Sequence, residues 1–177
     1  MFDFIEKLRL AKMIRFEKGK LSFMGVQINI VPSDMLVGIQ NRMIKKFGLK
    51  DTYEILYNQV KESSKIGCDI FLKRYNIRGF DETLDWLTKV FMSTGYGKIV
   101  KINANKYTNQ MFIAVDDSVF ISKKRKNPTC FILAGLFAGG ASILFNRNLD
   151  FIETKCVSKG NDQCEFEGYT NVKKFLK

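Results

Sequence analysis

The stretch from Cys130 to Phe145 constrains this chain more than any other. It runs 16 residues, is apolar on most sides and carries three glycines, Gly135, Gly139 and Gly140. A helix of that composition offers water no polar face, so it belongs in the middle of a fold or at a subunit interface. It is too short to span a bilayer comfortably. Together with Ala138 and Ala141, the glycines let another backbone approach closely. Asn127 and Pro128 make a good N-cap and first helical residue, which predicts a helix over 129–145 with Cys130 in its first turn.

The remaining elements are read around that helix. Phe2 to Lys12 fits a short amphipathic helix with Phe2, Ile5 and Leu8 inward. Ile14 to Ile30 alternates apolar and polar residues around Glu17-Lys-Gly-Lys20, which predicts a hairpin. Ser33-Asp34 can cap a helix that reaches Phe47 and stops at Gly48, and a longer helix follows from Asp51 to Tyr75. Asp81 caps a further helix that stops near Gly95. Strands follow at 99–102 and 111–115, joined by the polar turn Asn103 to Asn109. A last hairpin spans Asp150 to Gly168 and turns at Lys159-Gly-Asn-Asp162. Helices first and strands later give an α+β domain, an antiparallel sheet packed against helices. No linker or repeat divides the chain, so residues 1–177 read as one domain.

Composition narrows the function classes. A chain of 177 residues that is 46% hydrophobic and 27% charged is globular. Its first residues lack an uninterrupted apolar segment, so a cytoplasmic protein with reduced thiols is expected. The net charge of +11 invites a nucleic-acid reading. The excess is mostly lysine scattered along helices, with one compact run at Lys123-Lys-Arg-Lys126, and that distribution disfavours nucleic acid. The chain has no histidine, so any metal must be held by cysteine and carboxylate. No nucleotide-binding, nucleophile-elbow or cysteine–histidine motif is present, and no residue set asks for an enzyme.

Two constellations remain. Cys130, Glu153, Cys156 and Cys164 amount to one complete tetrahedral zinc shell if the fold gathers them. Cys156 and Cys164 flank the turn of one hairpin, and a helix start at Cys130 favours the thiolate that a metal needs. Glu153 lies three residues before Cys156, and in a regular strand that offset sends the two side chains to opposite faces. A shared site therefore requires a bulge or a strand end near Cys156. The alternative is two buried thiols in a hairpin beside an unrelated surface glutamate. The second constellation is aromatic: of 16 phenylalanines, Phe112, Phe120, Phe131, Phe137, Phe145, Phe151 and Phe166 crowd the second half. They stock a core, and collectively they can also wall an apolar cavity. Cys68, a lone cysteine on a helix, reads as a small buried hydrophobe.

The segment from Gly135 to Phe166 resembles the vinyl-4-reductase domain, a family grouped with ligand-binding domains of nitric-oxide signalling and with Golgi transport-particle subunits. The resemblance rests on Leu-Asp-Phe-Ile-Glu-Thr-Lys-Cys156 and on Lys159-Gly-Asn-Asp-Gln-Cys-Glu-Phe166 after a small-residue helix, with Val115-Asp-Asp-Ser118 before it. It covers residues 98–168 well, and residues 1–97 agree in the order of their elements. Aromatic-sensing members hold zinc with a cysteine at the start of the central helix, a glutamate and two cysteines. Position by position, the resemblance implies Cys130, Glu153, Cys156 and Cys164 as ligands of a structural zinc that closes the hairpin over a ligand cavity. Phenol-binding members also use a histidine and a tryptophan; this chain lacks the first, and Asn109 stands near the place of the second. The resulting expectation is a cytoplasmic, homodimeric sensor or carrier for a small apolar molecule. Trp86, Tyr107, Asn109, Phe112, Phe131, Phe137 and Phe151 are its expected pocket residues. The alternatives are a protein-interaction adaptor like the transport-particle subunits and a regulator of transcription.

Overall fold

The computed structural model describes residues 14–23, 25–121 and 127–170. The helix expected over Phe2–Lys12 and the basic run Lys123–Lys126 fall outside the described residues. The chain forms two compact units, residues 1–32 and 33–177. In the first, β1 (Ile14–Glu17), β2 (Lys20–Phe23) and β3 (Val26–Ile28) make an antiparallel meander. The β1–β2 turn is the expected one: Lys18 and Gly19 both take positive φ, 49° and 77°, the combination that a tight hairpin favours.

The second unit begins with α1 (Ser33–Tyr75), whose two halves join at Gly48 with φ 83° and ψ 172°. Gly48 leaves helical geometry and separates two helical halves, the stop that the sequence suggested. Only glycine adopts that conformation freely, and the buried Thr52 hydroxyl donates to the Gly48 carbonyl at 2.7 Å to close the break. Next comes α2 (Phe80–Ser93), which Gly79, and not Asp81, caps with φ 82°; the Glu82 carboxylate reaches back to accept the Arg78 N–H at 3.1 Å.

Strands β4 (Lys98–Asn105), β5 (Gln110–Asp116), β6 (Asp150–Lys155) and β7 (Cys164–Tyr169) form an antiparallel sheet in the order β4-β5-β7-β6. Between β5 and β6 runs α3 (Phe131–Leu144), with twelve of its fourteen residues buried. It begins later than the Asn127-Pro128 pair suggested, because Cys130 takes the N-cap position and its carbonyl accepts the Ala134 N–H at 3.0 Å. Against α3 lies α1. A Cβ on Gly135 would sit 2.7 Å from the Tyr57 carbonyl oxygen, and one on Gly139 would sit 2.5 Å from that of Lys61. The close backbone approach that the small residues permit is therefore made by α1. A buried polar cluster ties α1 to β6: Lys61 Nζ and the Tyr57 hydroxyl both donate to Asp150 Oδ1, at 2.5 and 2.9 Å, and the Phe151 N–H donates to the Tyr57 hydroxyl. The architecture is α+β, and among the described residues no helix is long and apolar enough to cross a membrane.

Candidate metal centre and ligand cavity

The four residues of the thiol constellation meet. One ligand atom from each of Cys130, Glu153, Cys156 and Cys164 lies within 4.8 Å of all the others, and the four residues are buried together. Three elements bring them there. Cys130 arrives at the N-cap of α3, Glu153 on β6, and Cys164 at the first position of β7. Cys156 follows β6, where a short 3-10 turn begins. Glu153 stands opposite Phe166 while Lys155 stands opposite Glu165, so Thr154 is an extra residue in the strand. That bulge restores the alternation after one skipped position and turns Glu153 and Cys156 to the same face. The objection raised by their three-residue offset is met by this irregularity.

A backbone amide joins the centre: the Cys130 N–H donates to Glu153 Oε2 at 3.0 Å. Asn161 Oδ1 accepts the Cys156 N–H at 3.1 Å. From α1, Gln40 Nε2 donates to the Thr129 carbonyl at 2.8 Å, which holds the residue next to Cys130 in place. These partners fix the orientation of thiol-bearing and carboxylate-bearing segments from outside the cluster.

Crowding four acidic side chains in a dry space splits their proton affinities. The Cys156 thiol is pulled far below the usual range, first by hydrogen bonds from Cys130 and then from Cys164. Cys130 is pushed far above it, chiefly because it donates to Cys156 and Cys164 and is buried. Burial, then the charge on Cys156, raises the Glu153 carboxyl to about 8.

The donor set fits a metal ion. Glu153 Oε1 is buried without a hydrogen-bond partner, a costly arrangement that a cation relieves. Cys130 and Cys164 place their sulfurs 3.7 Å apart. Two thiolates at about 2.3 Å from one tetrahedral zinc lie roughly 3.8 Å apart, so this edge already has zinc dimensions. Three thiols and a carboxylate suit a soft or borderline ion over calcium or magnesium.

A separate cavity of about 330 Å³ opens between α1, α2, α3 and the β4–β5 pair. Its walls are aliphatic and aromatic: Leu84, Leu87, Phe91, Ile102, Ile113 and Phe137 are representative. Of the residues expected around a ligand, Phe137 lines it. Phe151 stands behind Phe137, with ring centroids 6.1 Å apart. Phe131 packs edge-on against Tyr53, which is itself stacked on Tyr57. Trp86 rests between Phe71 and Tyr75. Phe112 is half-buried under the Lys101 ammonium, 5.5 Å from its ring centroid. Tyr107 is 84% exposed in the β4–β5 turn, where Asn109 takes a positive φ of 52°. These last six are not among the lining residues.

Sequence reasoning missed Ser64, Cys68 and Thr88, which also line the cavity. The available signal was the inward stripe Phe80, Leu84, Leu87, Phe91 on α2, spaced at three and four residues. It also missed Gln40 and the Lys61–Asp150 pair, whose partners are 89 residues apart.

Comparison with known proteins places these features in a context. Residues 111–169 match the family model of the vinyl-4-reductase domain. An uncharacterized protein of Methanocaldococcus jannaschii is 24% identical over 155 residues, 87% of this chain and 77% of its own length. The phenol-responsive sensory domain of the transcription activator PoxR, solved with phenol, superposes with a TM-score of 0.76 at 14% identity, covering 94% of this chain and 90% of that one. A trafficking protein particle complex subunit 3 from Naegleria fowleri, covalently bound to palmitic acid, gives 0.57 at 16% identity over 78% and 95% of the two chains. A vinyl-4-reductase family protein of M. jannaschii gives 0.53 at 19% identity over 81% and 84%. At these identities the structural likenesses establish the fold.

Proposed function

Since residues 111–169 form a vinyl-4-reductase domain, we propose that the chain is a ligand-binding sensor or carrier domain. It takes up a small apolar molecule, and a structural zinc on Cys130, Glu153, Cys156 and Cys164 braces it. The observation that carries the reading is the 330 Å³ apolar cavity, which falls in the size range of small-molecule sites. Two proteins of like fold support it: one was solved with phenol, the other with palmitic acid attached.

The zinc would be held by three thiolates and one carboxylate with no position left for water, which makes its role structural. It would pin the N-terminus of α3 to the β6–β7 hairpin. The domain would act as a cytoplasmic homodimer, with single-domain organisation over residues 1–177. Metal analysis of untagged protein should find one zinc per chain, and Cys156→Ser should abolish it. Protein that carries no metal, or Cys156→Ser with undiminished zinc and stability, would overturn the metal assignment. Native mass spectrometry of material from its own cells should retain a small organic molecule.

An adaptor role is the second reading. It is favoured by the likeness to a trafficking-complex subunit and by the exposed apolar residues Ile39, Phe47, Ile55 and Ile66 along α1. A stable heteromer without small-molecule cargo in the same measurement would favour it.

A further inference from the structure

Ser118 closes the segment Val115-Asp-Asp-Ser118 at the end of β5, which has no part in the proposed function. Its place is fixed from several directions. The Val119 N–H donates to the Tyr96 carbonyl and the Ile121 N–H to the Ser118 carbonyl, both at 3.2 Å. The Phe120 N–H donates to Ser118 Oγ at 3.3 Å. The Phe120 ring is buried and lies 5.7 Å from the Tyr96 ring, centroid to centroid, which anchors the turn in the core. A Cβ on Gly97 would stand 3.1 Å from the Asp116 carbonyl oxygen and 3.4 Å from Ser118 Cα, so this turn packs directly on the backbone that leads into β4. The Ser118 side chain is thereby buried, and its oxygen stands 3.8 Å from Cys130 Sγ. Because Oγ already accepts from Phe120, its own proton is left to point at the sulfur.

We infer that Ser118 is a positioning residue of the metal centre: its hydroxyl donates a hydrogen bond to the Cys130 thiolate and offsets charge left over when the ion is bound. The inference rests on the reading of the cluster as a metal site. Three thiolates and a carboxylate bring four negative charges to the two positive charges of a zinc ion, and the surplus lies in a dry space. Buried charge of that kind is tolerated where hydrogen-bond donors meet it. Glu153 has such a donor in the Cys130 N–H. The Cys130 sulfur has Cys164 Sγ at 3.7 Å and Ser118 Oγ at 3.8 Å. A cysteine that ligates a metal has given up its proton. Cys164 then has none to share, and the Cys130 thiolate can only accept. The direction of the Ser118 contact, open between two neutral groups, follows: oxygen donates and sulfur accepts. Such a bond draws electron density from the sulfur, and outer hydrogen bonds of this kind tune both the affinity and the electronic character of a thiolate site.

Cobalt(II) reports on the sulfur directly, because its sulfur-to-metal charge-transfer absorption moves with the electron density on the thiolate. The full chain, stripped of metal and titrated with cobalt against a competing chelator, is the reference. Ser118→Ala should bind cobalt roughly 10- to 100-fold more weakly, and its charge-transfer band should lie at longer wavelength. Loss of the serine oxygen also strands the Phe120 N–H, which lowers stability with or without metal but leaves the band unmoved. Band position therefore separates a donor to sulfur from a merely structural side chain. Ser118→Thr keeps the hydroxyl and should return band and affinity to the parental values. Folded Ser118→Ala with the parental band and affinity would overturn the inference and leave the metal site standing. A parent chain that binds no cobalt would overturn the metal reading itself and this inference with it. If Ser118→Ala does not fold, NMR of the parent loaded with a spin-active cadmium isotope decides. The Ser118 hydroxyl proton should couple to cadmium across the hydrogen bond, through the Cys130 sulfur. A Ser118 hydroxyl proton without that coupling would overturn the inference.

Discussion

Gln40 shows how a residue outside the thiol cluster can govern it. It is 1% exposed, and its side-chain amide donates to the carbonyl of Thr129, while the Cys130 N–H of the same peptide donates to Glu153 Oε2. Gln40→Ala strands that carbonyl in the interior, at a cost of about 1–3 kcal/mol. It also frees the peptide that orients Cys130 and Glu153, and loss of such an outer support typically weakens metal binding roughly 10- to 100-fold. Urea unfolding and a cobalt titration of the same variant check both effects. A stability loss with unchanged metal affinity would reduce Gln40 to a packing residue. None of this was legible in the sequence, because Gln40 and Thr129 are 89 positions apart. The cluster itself was half legible. The four ligand types could be picked out, but spacing alone argued against Glu153, since nothing about Thr154 announces a bulge: threonine is an ordinary strand former.

At the scale of elements, the crossing of α1 and α3 decides the packing. Gly139 and Gly140 are neighbours in one helix with opposite surroundings. A Cβ on Gly139 would fall 2.5 Å from the Lys61 carbonyl oxygen and 2.8 Å from the Lys65 nitrogen, both backbone atoms that cannot step aside. A Cβ on Gly140 would find Cys68 Sγ and Leu87 Cδ1 at 3.8 Å, ordinary contact distances. Gly139→Ala should therefore destabilise by roughly 2 kcal/mol or more through overpacking. Gly140→Ala should stabilise by about 0.5–1 kcal/mol, the gain of replacing glycine inside a helix. Thermal melts of the two variants side by side give the sign of each. That α3 would be buried was plain from its composition, and its small residues promised a close neighbour. Which helix came close was hidden, because Tyr57 and Lys61, whose backbone meets Gly135 and Gly139, carry no small-residue signal of their own. The aromatic residues misled for a related reason. Phe131 and Phe151 fill space around Tyr53 and Phe137, whereas the cavity walls are mostly aliphatic side chains that look like any core.

At the scale of the whole second unit, the candidate metal centre and the cavity share α3, whose N-cap is Cys130 and whose middle supplies Phe137. Chelation should therefore lower the melting temperature of the entire unit and not merely loosen the hairpin, because binding free energy at such a site is folding free energy. Alkaline pH offers a test at two residues outside the thiol cluster. Tyr53 is raised from 10 to about 12, chiefly by burial and then by the nearby charge of Asp150, and Cys68 is raised from 9 to about 11, chiefly by burial. In both cases the folded state holds a proton that the unfolded state has already released. The stability they support is fully present below pH 9 and is lost as pH rises through about 11 and 12. Each group accounts for on the order of 2 kcal/mol across its window. Guanidinium unfolding at intervals from pH 8 to 12 should show the midpoint falling steadily above pH 9. Tyr53→Phe has no proton to lose, so its midpoint should fall less between pH 10 and 12, and Cys68→Ala should likewise flatten the curve between pH 9 and 11. Variants that track the parent over these windows would show that the burial of the Tyr53 hydroxyl and of the Cys68 thiol does not persist in solution. For Cys68 that result would also open a wall of the cavity to water.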